Sequence, residues 1–170
     1  MSIGSRVGLI TALGLCALVE ILLYWMDGIS FTSELLKGNS MPMVVFIAGC
    51  VIGMAWDYMG LFALHWWRYP PAERHPWLLV VLPLFWGLFM VIMQDSYAIV
   101  RLLGFGTIPA VLISTIVLGV VIESANLYTR SWIYLGPVTS IPFLIFGWVV
   151  GLGFTYVVGF NAYVINPFGF

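Results

Sequence analysis

Long apolar runs, nearly free of charge, dominate this chain and limit what it can fold into. Residues 7–25, 43–64, 78–97, 107–127 and 141–160 each form such a run, close to the ~20 apolar residues that cross a bilayer as a helix. In water they would need a covering surface of charged side chains. Only 8% of the 170 residues are charged, against roughly 25% in soluble domains. Lipid is therefore the expected solvent. A spanning segment must satisfy its own backbone hydrogen bonds, so helices are the expected form. The expected fold is all-α: one polytopic transmembrane bundle over residues 1–170, with about five spans and no strand of note.

The segments between the runs carry the punctuation. Thr32-Ser33-Glu34-Leu35-Leu36-Lys37-Gly38 has a cap, an acidic first turn and a terminal glycine, and predicts a short interfacial helix. Residues 65–77 and 128–140 are two loops rich in aromatics and proline, suited to the headgroup level. The run after Arg6 exceeds the usual ~7–15 residue core of a signal peptide, and no A-x-A-like cleavage site follows it, so it reads as the first span. Arg6, Arg68, Arg74 and Arg130 fall on one side of the membrane, Lys37 and Arg101 on the other. That asymmetry places the N-terminus in the cytoplasm. Small residues such as Gly147, Gly151 and Gly153 in the last run suit close helix approach.

Several function classes drop out. The net charge is −1 and no basic tract is present, so nucleic acid is not an expected partner. Cys16 and Cys50 lie inside spans and read as packing thiols rather than a disulfide framework. His65 and His75, ten residues apart around prolines, lack the i, i+4 spacing of a helical metal pair. No metal or cofactor is expected.

The informative residues are acids inside apolar runs: Glu20, Asp57, Glu123, and Asp95 near the end of the third run. A carboxylate at mid-bilayer costs several kcal/mol, so such groups face the bundle interior and mark function by default. At ~1.5 Å per helical residue, their depths form two tiers: Glu20 with Asp95 toward the outer side, and Asp57 with Glu123 toward the inner. The expected inner site joins Asp57 and Glu123, with Trp56, Tyr58, Asn126 and Trp132 as neighbours. Mid-span Trp86 and Trp148 are expected to line a hydrophobic ligand cavity and stabilise developing positive charge through their ring faces.

Two segments share a layout. Asp57 is followed nine residues on by Trp66, then by Tyr69-Pro70 and by Leu82-Pro83-Leu84-Phe85-Trp86-Gly87. Glu123 is followed nine residues on by Trp132, then by Tyr134, Pro137 and Ile141-Pro142-Phe143-Leu144-Ile145-Phe146-Gly147-Trp148. Duplicated helix pairs commonly place a site at their interface. With Trp56-Asp57, Trp66-Trp67 and Tyr69-Pro70, the layout resembles the membrane-embedded lycopene cyclases and related carotenoid or terpenoid cyclases. The resemblance spans about residues 55–90, with a fainter echo at 123–148. It implies a small helical protein whose intramembrane carboxylic acids protonate a polyene or an epoxide. Lycopene cyclases carry paired acids soon after the second proline, whereas Pro83 is followed here by Leu84-Phe85-Trp86. The resemblance thus assigns a role to Asp57 and, more loosely, to Glu123.

Two functions from different classes fit these residues. One is a membrane enzyme acting on an isoprenoid-like lipid by general acid–base chemistry, of cyclase or isomerase type, with Asp57, Glu123, Glu20 and Asp95 as candidate acids. The other is a non-catalytic membrane subunit, anchor, assembly factor or small carrier, whose acids pair with a partner's helices or carry protons. The expected partners are a membrane lipid or hydrophobic small molecule, and a membrane protein in the second reading.

Overall fold

The computed structural model describes residues 3–71, 74 and 76–149. It is an all-α bundle. Helix α1 spans Ile3–Asp27, α2 Phe31–Leu36 and α3 Met41–Tyr58, the last continuing as a wide π-helical turn over Met59–Ala63. Strand β1 (Trp67–Arg68) precedes α4 (Leu78–Leu102) and α5 (Thr107–Thr129). Strand β2 (Ile133–Tyr134), a 3-10 turn at Gly136–Thr139 and α6 (Ile141–Phe146) follow. Among the described residues, four segments are long and apolar enough to cross a membrane: Arg6–Asp27, Met41–Ala63, Leu78–Leu102 and Thr107–Thr129. The chain is accordingly a multi-pass membrane protein. The expected fifth span opens as α6, and most of it, with Gly151 and Gly153, lies outside the described residues.

Helix α4 is the axis of the bundle, and α1, α3 and α5 pack against it. Its residues Phe89 to Asp95 are buried without a break, as expected of a helix enclosed on every side. It runs five residues beyond the expected end at position 97. The sequence 97–102 remains helix-compatible, and the Arg101 guanidinium ties the end of α4 to the start of α5 by donating to the Thr107 hydroxyl at 2.5 Å. Asp95 is therefore well inside a span.

Glycine sets the closest helix approach. Gly49 and Gly53 lie one turn apart on α3 and face α4, which answers with Gly87. A Cβ at Gly49 would sit 2.9 Å from the Trp86 carbonyl oxygen, so backbone meets backbone there. This is the small-xxx-small arrangement of membrane helices, in which dispersion rather than water exclusion rewards close contact. At Gly147, expected to serve such an approach, an added Cβ would meet nothing within 4 Å among the described residues.

Two expectations need correction. The interfacial helix starts two residues early, at Phe31, because Ser30 rather than Thr32 caps it. The Ser30 hydroxyl accepts from the Ser33 N–H at 3.3 Å, and Ser33 returns the bond to the Ser30 N–H at 2.8 Å. The two aromatic loops also form a strand pair. β1 and β2 run antiparallel, with Trp67 opposite Tyr134 and Arg68 opposite Ile133, and Leu135 N–H donates to the Trp66 carbonyl at 2.7 Å. A left-handed residue follows each helix, His65 (φ 51°) after the π turn and Arg130 (φ 52°) after α5, and loop backbone near lipid must find partners. Each loop supplies them to the other.

Candidate functional site

Each inner acid sits in a cradle made by its own helix pair. Asp57, near the end of α3 and only 4% exposed, accepts from the Tyr69 hydroxyl on Oδ1 at 3.1 Å and from the Trp86 indole N–H on Oδ2 at 2.5 Å. Glu123, near the end of α5, accepts from the Tyr134 hydroxyl at 2.5 Å and from the Trp148 indole N–H at 3.0 Å, both on Oε1. The tyrosines lie 12 and 11 residues after their acids, the tryptophans 29 and 25.

The likeness extends to packing. Gly53 lies one helical turn before Asp57 and Gly119 one turn before Glu123. A Cβ at Gly53 would overlap the Trp86 indole, and one at Gly119 would crowd the Trp148 indole at 3.1 Å. In both halves a glycine admits a tryptophan from the following helix, and that tryptophan donates to the acid one turn on. The sequence layout paired the halves through Trp66 and Trp132. The groups that reach the acids are instead Tyr69 with Trp86 and Tyr134 with Trp148.

The two phenols are fixed as donors. Burial, then the Asp57 carboxylate, holds the Tyr69 hydroxyl well above its ordinary range. Burial, then Glu123, does the same for Tyr134, with Asp57 adding a smaller push. Tyr134 thus feels both acids, although each acid has its own cradle.

Between the cradles lies a cavity of about 300 Å³, lined by Trp56, Trp66, Trp86, Trp132, Phe143 and Trp148 among others. Asp57, Tyr69, Ser131 and Tyr134 are polar residues of its wall. The Trp148 and Trp86 rings both pack against Phe89, with centroids 5.4 Å and 5.7 Å away. Of the other expected neighbours, the Asn126 side chain accepts from the Trp132 backbone N–H at 3.1 Å, which braces the turn after α5. Tyr58 is 67% exposed and lies against Phe62, with ring centroids 5.2 Å apart.

The outer acids also meet. Asp95 is fully buried and its carboxyl faces that of Glu20. Glu20 Oε2 accepts from the Thr32 N–H of α2 at 3.0 Å, while Glu20 Oε1 and both Asp95 oxygens find no nitrogen or hydroxyl donor among the described residues. Arg101, the basic residue of α4, bonds Tyr97 and Thr107 instead. A hydrogen bond between the two carboxyl groups requires a proton on one of them. Among the described residues no three His, Cys, Asp or Glu side chains cluster in a way that would hold a metal ion.

Fold and site together define a multi-pass helical membrane protein whose two inner carboxyl cradles flank an aromatic cavity. No protein-family model, no curated protein and no solved structure matches the chain.

Proposed function

We propose that the protein is a membrane enzyme acting on a hydrophobic, isoprenoid-like lipid by carboxyl acid–base chemistry of cyclase or isomerase type. The observation that carries this reading is the cavity of about 300 Å³ with a buried carboxyl group, Asp57, in a largely apolar, aromatic-rich wall. That volume is at the lower end of the ~300–1,000 Å³ of ligand pockets, which pair apolar linings with a few placed polar groups. Indole faces around the cavity suit a substrate that passes through positive charge, and a carboxylate beside them can hold that charge or take up a proton. The resemblance to lycopene cyclases supports the same substrate class.

Proteoliposomes incubated with lycopene, as an acyclic polyene probe, are expected to yield a product of unchanged mass and altered retention by liquid chromatography and mass spectrometry. Cyclisation and double-bond migration both conserve mass. A panel of acyclic isoprenoids that emerges chemically unchanged would overturn the reading.

One observation favours a second reading, a non-catalytic membrane subunit. Only 17% of the α1 window is buried in the bundle, which leaves a long apolar helix face free for a partner's helix. Recovery of the native protein only in a stable complex with a second polypeptide would support it.

We also infer that the N-terminus is cytoplasmic. The end of the bundle carrying Arg6, Arg68, Arg74 and Arg130 then faces inward, following the distribution of basic residues. In a chain with Cys16 and Cys50 replaced by Ser, a cysteine at Arg130 is expected to react with an impermeant maleimide only after the cell is opened. One at Lys37 is expected to react in intact cells. The reverse pattern inverts the assignment.

A further inference from the structure

The two cradles are alike in parts but not in what they present to the cavity. From the first, the acid itself, Asp57, reaches the wall together with Tyr69 and Trp86. From the second, Tyr134 and Trp148 reach the wall, and Glu123 is not among the described residues that line it. The bonding differs in the same sense. Asp57 spends one oxygen on each donor, Oδ1 on Tyr69 and Oδ2 on Trp86, at the cavity surface. Glu123 accepts from Tyr134 and Trp148 on the one oxygen Oε1 and has the Asn126 side chain as a further partner. The Gly53 and Gly119 seats show that the halves share one construction, so the difference lies in how each acid is finished rather than in the scaffold.

We infer that the two acids have divergent roles: Asp57 is the carboxyl group that meets the occupant of the cavity, and Glu123 is a positioning residue that holds the Tyr134 hydroxyl and the Trp148 indole in the wall. This rests on the proposed function only for the identity of the occupant. The division of roles stands on the cavity lining and the hydrogen bonds.

Dicyclohexylcarbodiimide, an apolar reagent that adds to carboxylic acids, tests the division without a known substrate. Peptide mass spectrometry of the labelled, detergent-purified protein is expected to find modification at Asp57 lowered about tenfold when n-decane fills the cavity, as a barrier difference of ~1.4 kcal/mol would give. Modification at Glu123, half-buried and outside the lining, is expected to stay unchanged. Equal protection of the two acids, or protection at Glu123 alone, overturns the inference.

The positioning role has its own readout, energy transfer from the cavity tryptophans to all-trans-retinol. Glu123→Ala is expected to weaken retinol binding about tenfold. Glu123→Gln is expected to recover most of that loss, because its amide oxygen can still accept from both Tyr134 and Trp148. Equal binding by the Ala and unaltered chains would show that Glu123 positions nothing. Failure of the unaltered chain to bind retinol, with the labelling contrast intact, would count against an isoprenoid occupant and leave the division of roles standing.

Discussion

Asp57→Asn is expected to lower turnover of the lycopene probe by about 10²–10⁴-fold, the range that general acid–base groups contribute, measured per folded molecule in proteoliposomes. The change leaves volume and shape nearly intact, so the cavity should persist. It alters chemistry in two ways. The amide cannot take up or return a proton at the cavity wall. Its oxygen must also face the Trp86 indole N–H, which can only donate, so its NH₂ faces Tyr69 and donates to the phenol oxygen, reversing that bond. Both partners stay matched, so thermal stability should change little while turnover falls. Trp86→Phe separates the two effects. It removes one hydrogen bond yet keeps the carboxyl group, so it should lose more stability while retaining more turnover than Asp57→Asn. If the two variants lose turnover equally per folded molecule, Asp57 is a brace and the enzyme reading fails at its central residue.

Gly53→Ala is expected to be the most damaging single methyl that can be added to this fold at a glycine beside a cradle. The new Cβ would overlap the Trp86 indole and the Trp86 Cβ itself, so rotation of the ring does not relieve it. Overpacking of this kind costs about 1–3 kcal/mol, and Trp86 must also move from its bond to Asp57. For a chain of this size each kcal/mol corresponds to roughly 2–4 °C in Tm, so a fall on the order of 2–12 °C is expected in detergent. Gly119→Ala should cost less, because its Cβ would meet Trp148 at 3.1–3.4 Å, a gap that small ring shifts can open. Gly14→Ala is the control. Among the described residues nothing lies within 4 Å of its added Cβ, and alanine is about 1 kcal/mol better than glycine within a helix. Its Tm should hold or rise. Equal falls at positions 53, 119 and 14 would show that the glycines do not set the helix approach.

The main lines of the bundle are legible in the sequence. Apolar runs of bilayer length with hardly any charge require lipid-embedded helices, whatever the tertiary arrangement, because unsatisfied backbone in hydrocarbon is prohibitive. The cost of burying a carboxyl group likewise turned Glu20, Asp57, Asp95 and Glu123 inward, and depth along a helix sufficed to match Glu20 with Asp95. Even the kinship of the two halves shows in the order acid, aromatic, proline, tryptophan.

The tertiary structure decided which groups touch. The nine-residue steps to Trp66 and Trp132 were the conspicuous spacing, yet Tyr69 with Trp86 and Tyr134 with Trp148 supply the donors. Loop backbone, not helical periodicity, carries the two tyrosines, and loop conformation depends on the β1–β2 pairing between segments distant in sequence. The close approach of α3 to α4 could have been found from Gly49 and Gly53, but nothing local distinguishes that spacing from the idle glycines of α1 until α4 lies against it. Whether an acid lines the cavity is settled by the displacement of one packed helix against another. Composition and periodicity are blind to that displacement, because both acids have the same depth, the same polarity and the same partners in kind.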